Sequence, residues 1–289
     1  MMKNKLHYYW QIFEDYAYQR LKTFTILDSV ETIDYIIDNH VSVSRFGDGE
    51  FSIMWEMGVG FQDINPILSA RLSEVLRSSG YKHIVCLPYP LQSLGYLNDV
   101  ARTFWRGFIA HNSWRLLTTI PIKKVFYDTN FTRFYIDWAN KSSCSSRIEK
   151  IMTIWRGRNV VVVEGYGTRM GVGNNLFCKT LSLRRIICPS TNAFNVYDRI
   201  YNYVLENVEK DALILCALGM TATVLAFDLS KKGYQAIDIG HLDIEYEWYL
   251  MNVREKCPVL GKSVNECGIN HPGVLDSPTY KEQIICTIL

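Results

Sequence analysis

No stretch of this 289-residue chain approaches the ~18 uninterrupted apolar residues that a membrane-spanning helix requires. Charge of one sign is also scarce. Against 31 Lys and Arg stand 29 Asp and Glu, a net charge of +2, so no nucleic-acid ligand is expected. The eight cysteines are scattered and none forms a C-x-x-C pair with zinc-site spacing. Several lie in apolar runs such as RRIICP and LILCALG, where a thiol behaves as a small hydrophobe, so reduced structural cysteine is expected. The opening MMKNKLHYYWQIFEDYAY is too polar and too acidic for a signal peptide. The expectation is a cytoplasmic protein, with the inner face of a membrane as the one further location considered. The dinucleotide fingerprint G-x-G-x-x-G and the P-loop Lys-Ser/Thr are missing too. So are internal repeats and low-complexity linkers.

What is present is a folded composition, with 48% apolar and 21% charged residues. Short apolar runs alternate with helical segments. Strands are expected at Val41–Arg45, His83–Leu87, Lys124–Tyr127, Asn159–Val163, Arg185–Cys188, Ala212–Ala217 and Gln235–Ile239. Continuous apolar runs such as NVVVVE and ALILCAL suit strands covered on both faces. Asn65-Pro66 before ILSARLSEVLRSSG reads as a cap, a first-turn proline and an amphipathic helix. TATVLAFDLSKKG ends in two lysines and a glycine, matching the polarity of a helix dipole. The order predicts an α/β fold: a Rossmann-like, open, mostly parallel sheet with helices on both faces. One domain over 1–289 is expected, with an N-terminal helical segment (1–40), a core (41–252) and an irregular C-terminal extension (253–289). The aromatic N-terminal helix is read as packed on the domain. A peripheral membrane or homo-oligomer contact is the weaker alternative, since Glu14 and Asp15 dilute its basic face.

In open parallel sheets ligands bind beyond the carboxyl ends of the strands, and four unusual stretches fall at such ends. In SRFGDGEF, Gly47 lets the backbone turn closely, and Asp48 and Glu50 can then offer oxygens to a hard cation such as Mg²⁺ or Mn²⁺ against a bound phosphate. The plainer alternative is a strand-to-helix turn capped by Asp48. In EGYGTRMGVGNNLF, Gly165, Gly171 and Gly173 loosen a loop, and a helix is expected to begin near Asn174. Its N-terminus, with Arg169, would form an anion site; a merely flexible surface loop is the alternative. CPSTNAF offers Ser190 and Asn192 either as helix caps or as partners of a ribose or base. In IGHLDIEYEW, His241 and Glu245 fall an i,i+4 step apart and read as a general base with its carboxylate, near Asp243. A solvated acidic helix capped by His241 is the alternative. Arg133 in TRFYIDW is treated as structural.

Taken together, VSRFGDGEF, Gly60-Phe61-Gln62, TRFYIDW, VEGYGTRMGVGNNLF, RIICPSTNAF and ALGMTATVLAFDLSKKGYQAIDIGHLDIEYEW resemble the GT-D-type glycosyltransferases, a bacterial domain of glycan and adhesin-glycosylation clusters. These motifs span about Val41 to Leu250. The resemblance implies a Rossmann-like fold, a nucleotide-sugar donor (a UDP-sugar) and a divalent metal held by an Asp-x-Glu motif, matched here by Asp48 and Glu50. Arg45, Gly47, the loop through Asn174 and Asn175, and the Asn192 turn would hold the nucleotide. The acceptor would be a glycan, a lipid-linked oligosaccharide or a glycoprotein. Met220 departs from the family's proline. The competing readings are a non-catalytic nucleotide-sugar-binding subunit and another Rossmann-like enzyme.

Overall fold

A computed structural model describes residues 2–264, 267–268 and 277–289, with side chains from residue 12 onward. Nine strands form one all-parallel sheet in the order β1-β4-β3-β2-β8-β7-β5-β6-β9. They are β1 (Thr25–Ile26), β2 (Ser42–Arg45), β3 (His83–Leu87), β4 (Val125–Asp128), β5 (Asn159–Gly165), β6 (Ser182–Cys188), β7 (Leu213–Ala217), β8 (Gln235–Asp238) and β9 (Ile284–Thr287). The helices are α1 (Met2–Leu21), α2 (Ser29–Asn39), α3 (Asp48–Met54), α4 (Pro66–Arg77), α5 (Asp99–Thr119), α6 (Cys144–Met152), α7 (Tyr197–Asn207), α8 (Met220–Lys231), α9 (Leu242–Leu250) and α10 (Pro278–Gln283). No helix among the described residues is long and apolar enough to cross a membrane.

All seven expected strands form, within a residue or two at most ends. The sequence reading missed the two edges, β1 and β9. Each is short or only partly buried, so neither shows the continuous apolar run that marks the central strands. The extension expected to be irregular from residue 253 therefore contributes α10 and a ninth strand paired to β6. Cys86, Cys144, Cys188 and Cys216 are buried thiols outside any disulfide.

The sheet runs in opposite directions from two places. From β2 the chain moves outward through β3 and β4. From β5 it moves to β6 on one side and returns through β7 and β8 to meet β2. Crevices at such reversals are where α/β sheets place ligands. The packing of α8 across β2 draws the two halves together. Val41 and Val43 face one apolar cluster, whereas Ser42 and Ser44 face the other side. Ser44 Oγ donates to Thr223 O (2.6 Å) and Ser42 Oγ to Tyr234 O (3.1 Å). Small hydroxyls here let α8 lie close on the sheet, and every residue from Met220 to Ser230 is buried. The N-terminus of α8 thus comes to rest between the loops that follow β2 and β7.

Candidate active site

The β2 loop is built first. Arg45 ends the strand, and Gly47 is the N-cap of α3 in extended conformation. Glu50 turns back so that its Oε2 accepts the Gly47 N–H (2.7 Å). Asp48 stands exposed at the first helical position. A Cβ at Gly49 would lie 2.6 Å from Met220 Cε, so this glycine is what lets α3 seat against the start of α8. Burial first, then repulsion from nearby Asp238, raises the Glu50 carboxyl to about 7. Asp238, which ends β8, is itself raised by burial despite the Arg45 guanidinium 3.5 Å away. Two acids therefore crowd one arginine, whose Nε is also engaged by Thr129 O (3.1 Å). A Cβ on Gly240 would meet Arg45 Nη1 at 2.0 Å, so only glycine leaves the guanidinium room there.

Among the described residues no group of three or more His, Cys, Asp or Glu could hold a metal ion unaided. Two carboxylates from Asp48 and Glu50 still fit Mg²⁺ or Mn²⁺, which commonly take one or two carboxylates and complete their shell with phosphate oxygens and water. The excess negative charge around Glu50 and Asp238 agrees with a cation there.

Beside this loop lies a cleft lined by Phe61, Gln62, Gly165, Thr168, Ser190, Asn192, Leu218, Gly219, Gly240, His241, Asp243 and Ser263, among others. It collects the carboxyl ends of β5, β6, β7 and β8. A Cβ on Gly165 would stand 3.2 Å from Ser190 Cα, which explains the close approach of the β5 and β6 loops. Asn192 adopts left-handed backbone (φ 51°). Its N–H donates to Phe61 O (3.0 Å), its Oδ1 accepts from Asp63 N (2.7 Å), and its Nδ2 donates to Asp63 Oδ2 (2.7 Å). The amide thus staples the Gly60-Phe61-Gln62 loop to the β6 loop. The Phe61 ring in turn packs where a Cβ of Gly219 would stand, 2.7 Å away.

The glycine-rich loop departs from expectation. No helix starts near Asn174; residues 166–179 are turns. Gly171 (φ 73°) and Gly173 (φ 84°) lie in the left-handed region, and Asn174 Oδ1 accepts the Leu176 N–H (3.0 Å), a local turn that competes with a helix. A Cβ on Gly171 would meet the Phe177 ring at 2.5 Å. Arg169 Nη1 donates to Gly261 O (2.6 Å), and Asn175 Oδ1 accepts from Tyr246 Oη (2.5 Å). Neither residue lines the cleft.

On α9 the three proposed reactive groups part company. His241, at the N-cap, faces the cleft. Asp243 is buried beneath it: Oδ1 accepts from Gly171 N (2.8 Å) and Asn174 Nδ2 (2.8 Å), and Oδ2 from Lys262 Nζ (2.6 Å). Glu245 is fully buried on another face. Its Oε2 accepts the Tyr135 and Ile136 N–H groups (3.0 and 2.9 Å), and Arg133 lies 3.6 Å from Oε1. Burial raises its carboxyl to about 7. The i,i+4 spacing thus links His241 and Glu245 only through the helix backbone, Glu245 N donating to His241 O. A buried α9 also replaces the solvated acidic helix, because Ile244, Tyr246 and Trp248 anchor it in the core.

Sequence reading missed Asp238, Lys262 and Ser263. An acid closing the apolar strand QAID is a legible signal for the first. Lys262 and Ser263 have none, because their partners lie across long sequence separations.

The family pattern of the GT-D glycosyltransferase fold matches residues 43–267. A probable glycosyl transferase of Streptococcus gordonii is 34% identical over 92% of this chain and 39% of its own length. The glycosyltransferase GlyD of Streptococcus pneumoniae is 36% identical over 90% of this chain and 32% of its own. The chain thus spans between a third and two fifths of these curated relatives. A solved domain described as having a distinct glycosyltransferase fold superposes with a TM-score of 0.91 at 38% identity, over 95% of this chain and 99% of that one. A glycosyltransferase structure from Streptococcus sanguinis gives 0.88 at 33%, over 92% and 100%. With its strand-end loops, glycine loop and acid pair all inside that one continuous match, this chain belongs to the GT-D glycosyltransferase family.

Proposed function

We propose that the protein transfers a hexose from a nucleotide-sugar donor, a UDP-sugar, to a hydroxyl of a glycan, lipid-linked oligosaccharide or glycoprotein, with Mn²⁺ or Mg²⁺ held by Asp48 and Glu50. One observation carries this reading. The acid pair at the β2 end and the cleft over β5 to β8 adjoin across the sheet reversal, brought together by α8. At about 90 Å³, the cleft is smaller than the ~300–1,000 Å³ of sites that enclose drug-sized ligands. A nucleotide sugar would therefore extend from the cleft onto the open surface toward Asp48.

Cleavage of the sugar–phosphate bond leaves a diphosphate whose charge must be stabilised as it develops. Asp48 and Glu50 would hold a divalent ion, which would supply Lewis-acid stabilisation of that charge. The chain's own contribution is the set of backbone N–H groups around Gly165, Ser190 and Gly219 at the cleft wall. We assign His241, which faces the cleft at the N-cap of α9, the role of taking the acceptor's proton. Asp48 and Glu50 lie in the first turn of α3.

The test is UDP release from a panel of UDP-sugars, with and without Mn²⁺. Turnover should require the metal and fall by at least ~100-fold in Asp48→Asn and in Glu50→Gln, with the fold retained. Wild-type turnover in both variants would remove the metal assignment. Tight UDP-sugar binding without release, across donors and a broad acceptor mixture, would make the protein a sugar-nucleotide-binding subunit instead.

A further inference from the structure

The buried lysine that neither the motif nor the proposed chemistry uses is Lys262, 1% exposed, in the segment that follows α9. Its ammonium reaches Asp243 Oδ2 and Glu247 Oε1, both at 2.6 Å. Asn174 Nδ2 bridges the same two carboxylates from the glycine-rich loop, at 2.8 and 2.7 Å. One lysine therefore joins α9, the loop and the C-terminal segment. Two outer hooks run in parallel: Ser263 N donates to Gly167 O (2.9 Å), and Arg169 Nη1 to Gly261 O (2.6 Å). The segment is held from beneath as well, with Val259 and Val264 in the core and Trp248 Nε1 donating to Cys257 O (2.9 Å). Ser263 then forms part of the cleft wall itself.

We infer that residues 259–264 are a strap that completes the cleft, and that Lys262 is a positioning residue which fixes the glycine-rich loop in its ligand-ready shape. The physical basis is the loop's own weakness. Between Gly167 and Gly173 three glycines have positive φ, so the segment has many alternatives open to it and little intrinsic preference for this one. Its conformation is imposed from outside, by Glu164 on the Met170 N–H (2.7 Å), by Asp243 on the Gly171 N–H and by the strap. Without the ammonium, Asp243 and Glu247 would face each other across one amide, buried and uncompensated. The carboxylates would separate and the loop would be released. Lys262 touches no reacting atom. Its effect on catalysis runs through the loop and rests, to that extent, on the proposed donor site.

Two readouts separate the strap from the donor assignment. The first is hydrogen exchange of the amides in residues 166–176, which needs no ligand. In Lys262→Met, a change that keeps the stem's bulk, this loop should exchange at least ~10-fold faster while β2, β3 and α8 keep wild-type protection. Adding Asp243→Asn, which removes one of the two opposed charges while retaining an acceptor for Gly171 N, should restore part of that protection. The second readout is UDP binding with Mn²⁺ by calorimetry, which should weaken at least ~10-fold in Lys262→Met and recover partly in the double variant. Loop exchange within twofold of wild type in a folded Lys262→Met overturns the inference. If that variant does not fold, Arg169→Met decides, because it removes an outer hook and leaves the buried lysine in place: the loop should exchange at least ~3-fold faster, and unchanged exchange overturns the inference equally. Failure of the wild-type protein to bind UDP would instead sink the donor assignment and leave the exchange result standing.

Discussion

Two acid clusters sit at the carboxyl edge of this sheet, and they are opposites. At the β2–β8 end, the partly buried Glu50 stands against the buried Asp238; the two repel one another and share the influence of one arginine whose Nε is engaged elsewhere. Beneath the cleft, Asp243 and Glu247 are bridged by a buried lysine and by an asparagine amide, with a backbone N–H completing the set. The first cluster carries negative charge in excess. The second is compensated on every side. An excess of buried negative charge costs stability and persists where a cation or a proton is to be received, whereas a compensated cluster contributes architecture. The contrast explains why two acid-rich motifs of similar appearance, SRFGDGEF and IGHLDIEYEW, are assigned different work.

The contrast breaks if substitutions fail to act in opposite directions. Asp243→Asn leaves the Lys262 ammonium short of a buried partner, and should cost about 3 kcal/mol of stability, near the lower end for breaking a buried ion pair. Glu50→Gln removes one of two repelling carboxylates and keeps an acceptor for Gly47 N. At pH 8 it should raise the melting temperature by a few degrees while abolishing metal-dependent turnover. Denaturation by heat and by urea on both variants checks this. Equal losses in the two would mean that the β2–β8 cluster is ordinary structure.

The strands and the loops at their carboxyl ends were legible because both depend on local pattern. β5 reads NVVVVEG and is buried along its length after the first residue; α4 reads Asn-Pro followed by an apolar face, and Asn65 does accept from Ile67 N and Leu68 N at 3.0 Å each. The candidate site was legible as four loops. Its wiring was not, because the decisive partners are remote in sequence. Glu245 answers to Tyr135 and Ile136, Asn192 to Asp63, and Lys262 to Asp243 and Glu247. Nothing in IGHLDIE marks Glu245 as turned away from His241. A helical i,i+4 spacing fixes which side of a helix a residue leaves from, and tertiary contacts settle where its charge ends.

The glycine loop sharpens the same comparison at a smaller scale. Gly171 has positive φ, and an added methyl would press on the Phe177 ring. Gly171→Ala should cost about 2 kcal/mol, from backbone strain and overpacking together. Gly173 also has positive φ but open space around its missing Cβ. Gly173→Ala should therefore cost only about 1 kcal/mol, the backbone part alone. Urea titrations of the two variants give the difference, and equal costs would show that the loop does not hold its Phe177 contact in solution.

The last test uses pH, because burial shifts Glu50 and His83 in opposite directions. Glu50 carries a folded-state pKa raised to about 7 from 4.5. Its favourable contribution is fully present below the unfolded value and is lost as pH rises through about 7. His83 lies buried at the start of β3, against Phe227 of α8, with Nε2 2.8 Å from Ser44 Oγ, and burial pushes its pKa down to about 3. The folded protein keeps it neutral, so its contribution is present above about 6.5 and lost as pH falls toward 3. At pH 5 the unfolded chain has bound that proton and the folded one has not, a difference on the order of 2 kcal/mol against the native state. Between pH 7 and pH 5 the two contributions therefore oppose each other, while Glu245, raised to about 7, and Asp128, raised to about 6, both by burial first, add stability with the same sign as Glu50. Wild-type stability should therefore rise on acidification. Glu50→Gln should gain less than the wild type over this range, while His83→Gln, weaker at pH 7 through lost packing against Phe227, should gain more. Melting curves across that range in the two variants should cross, and parallel curves would mean that neither burial governs titration as the structure places it.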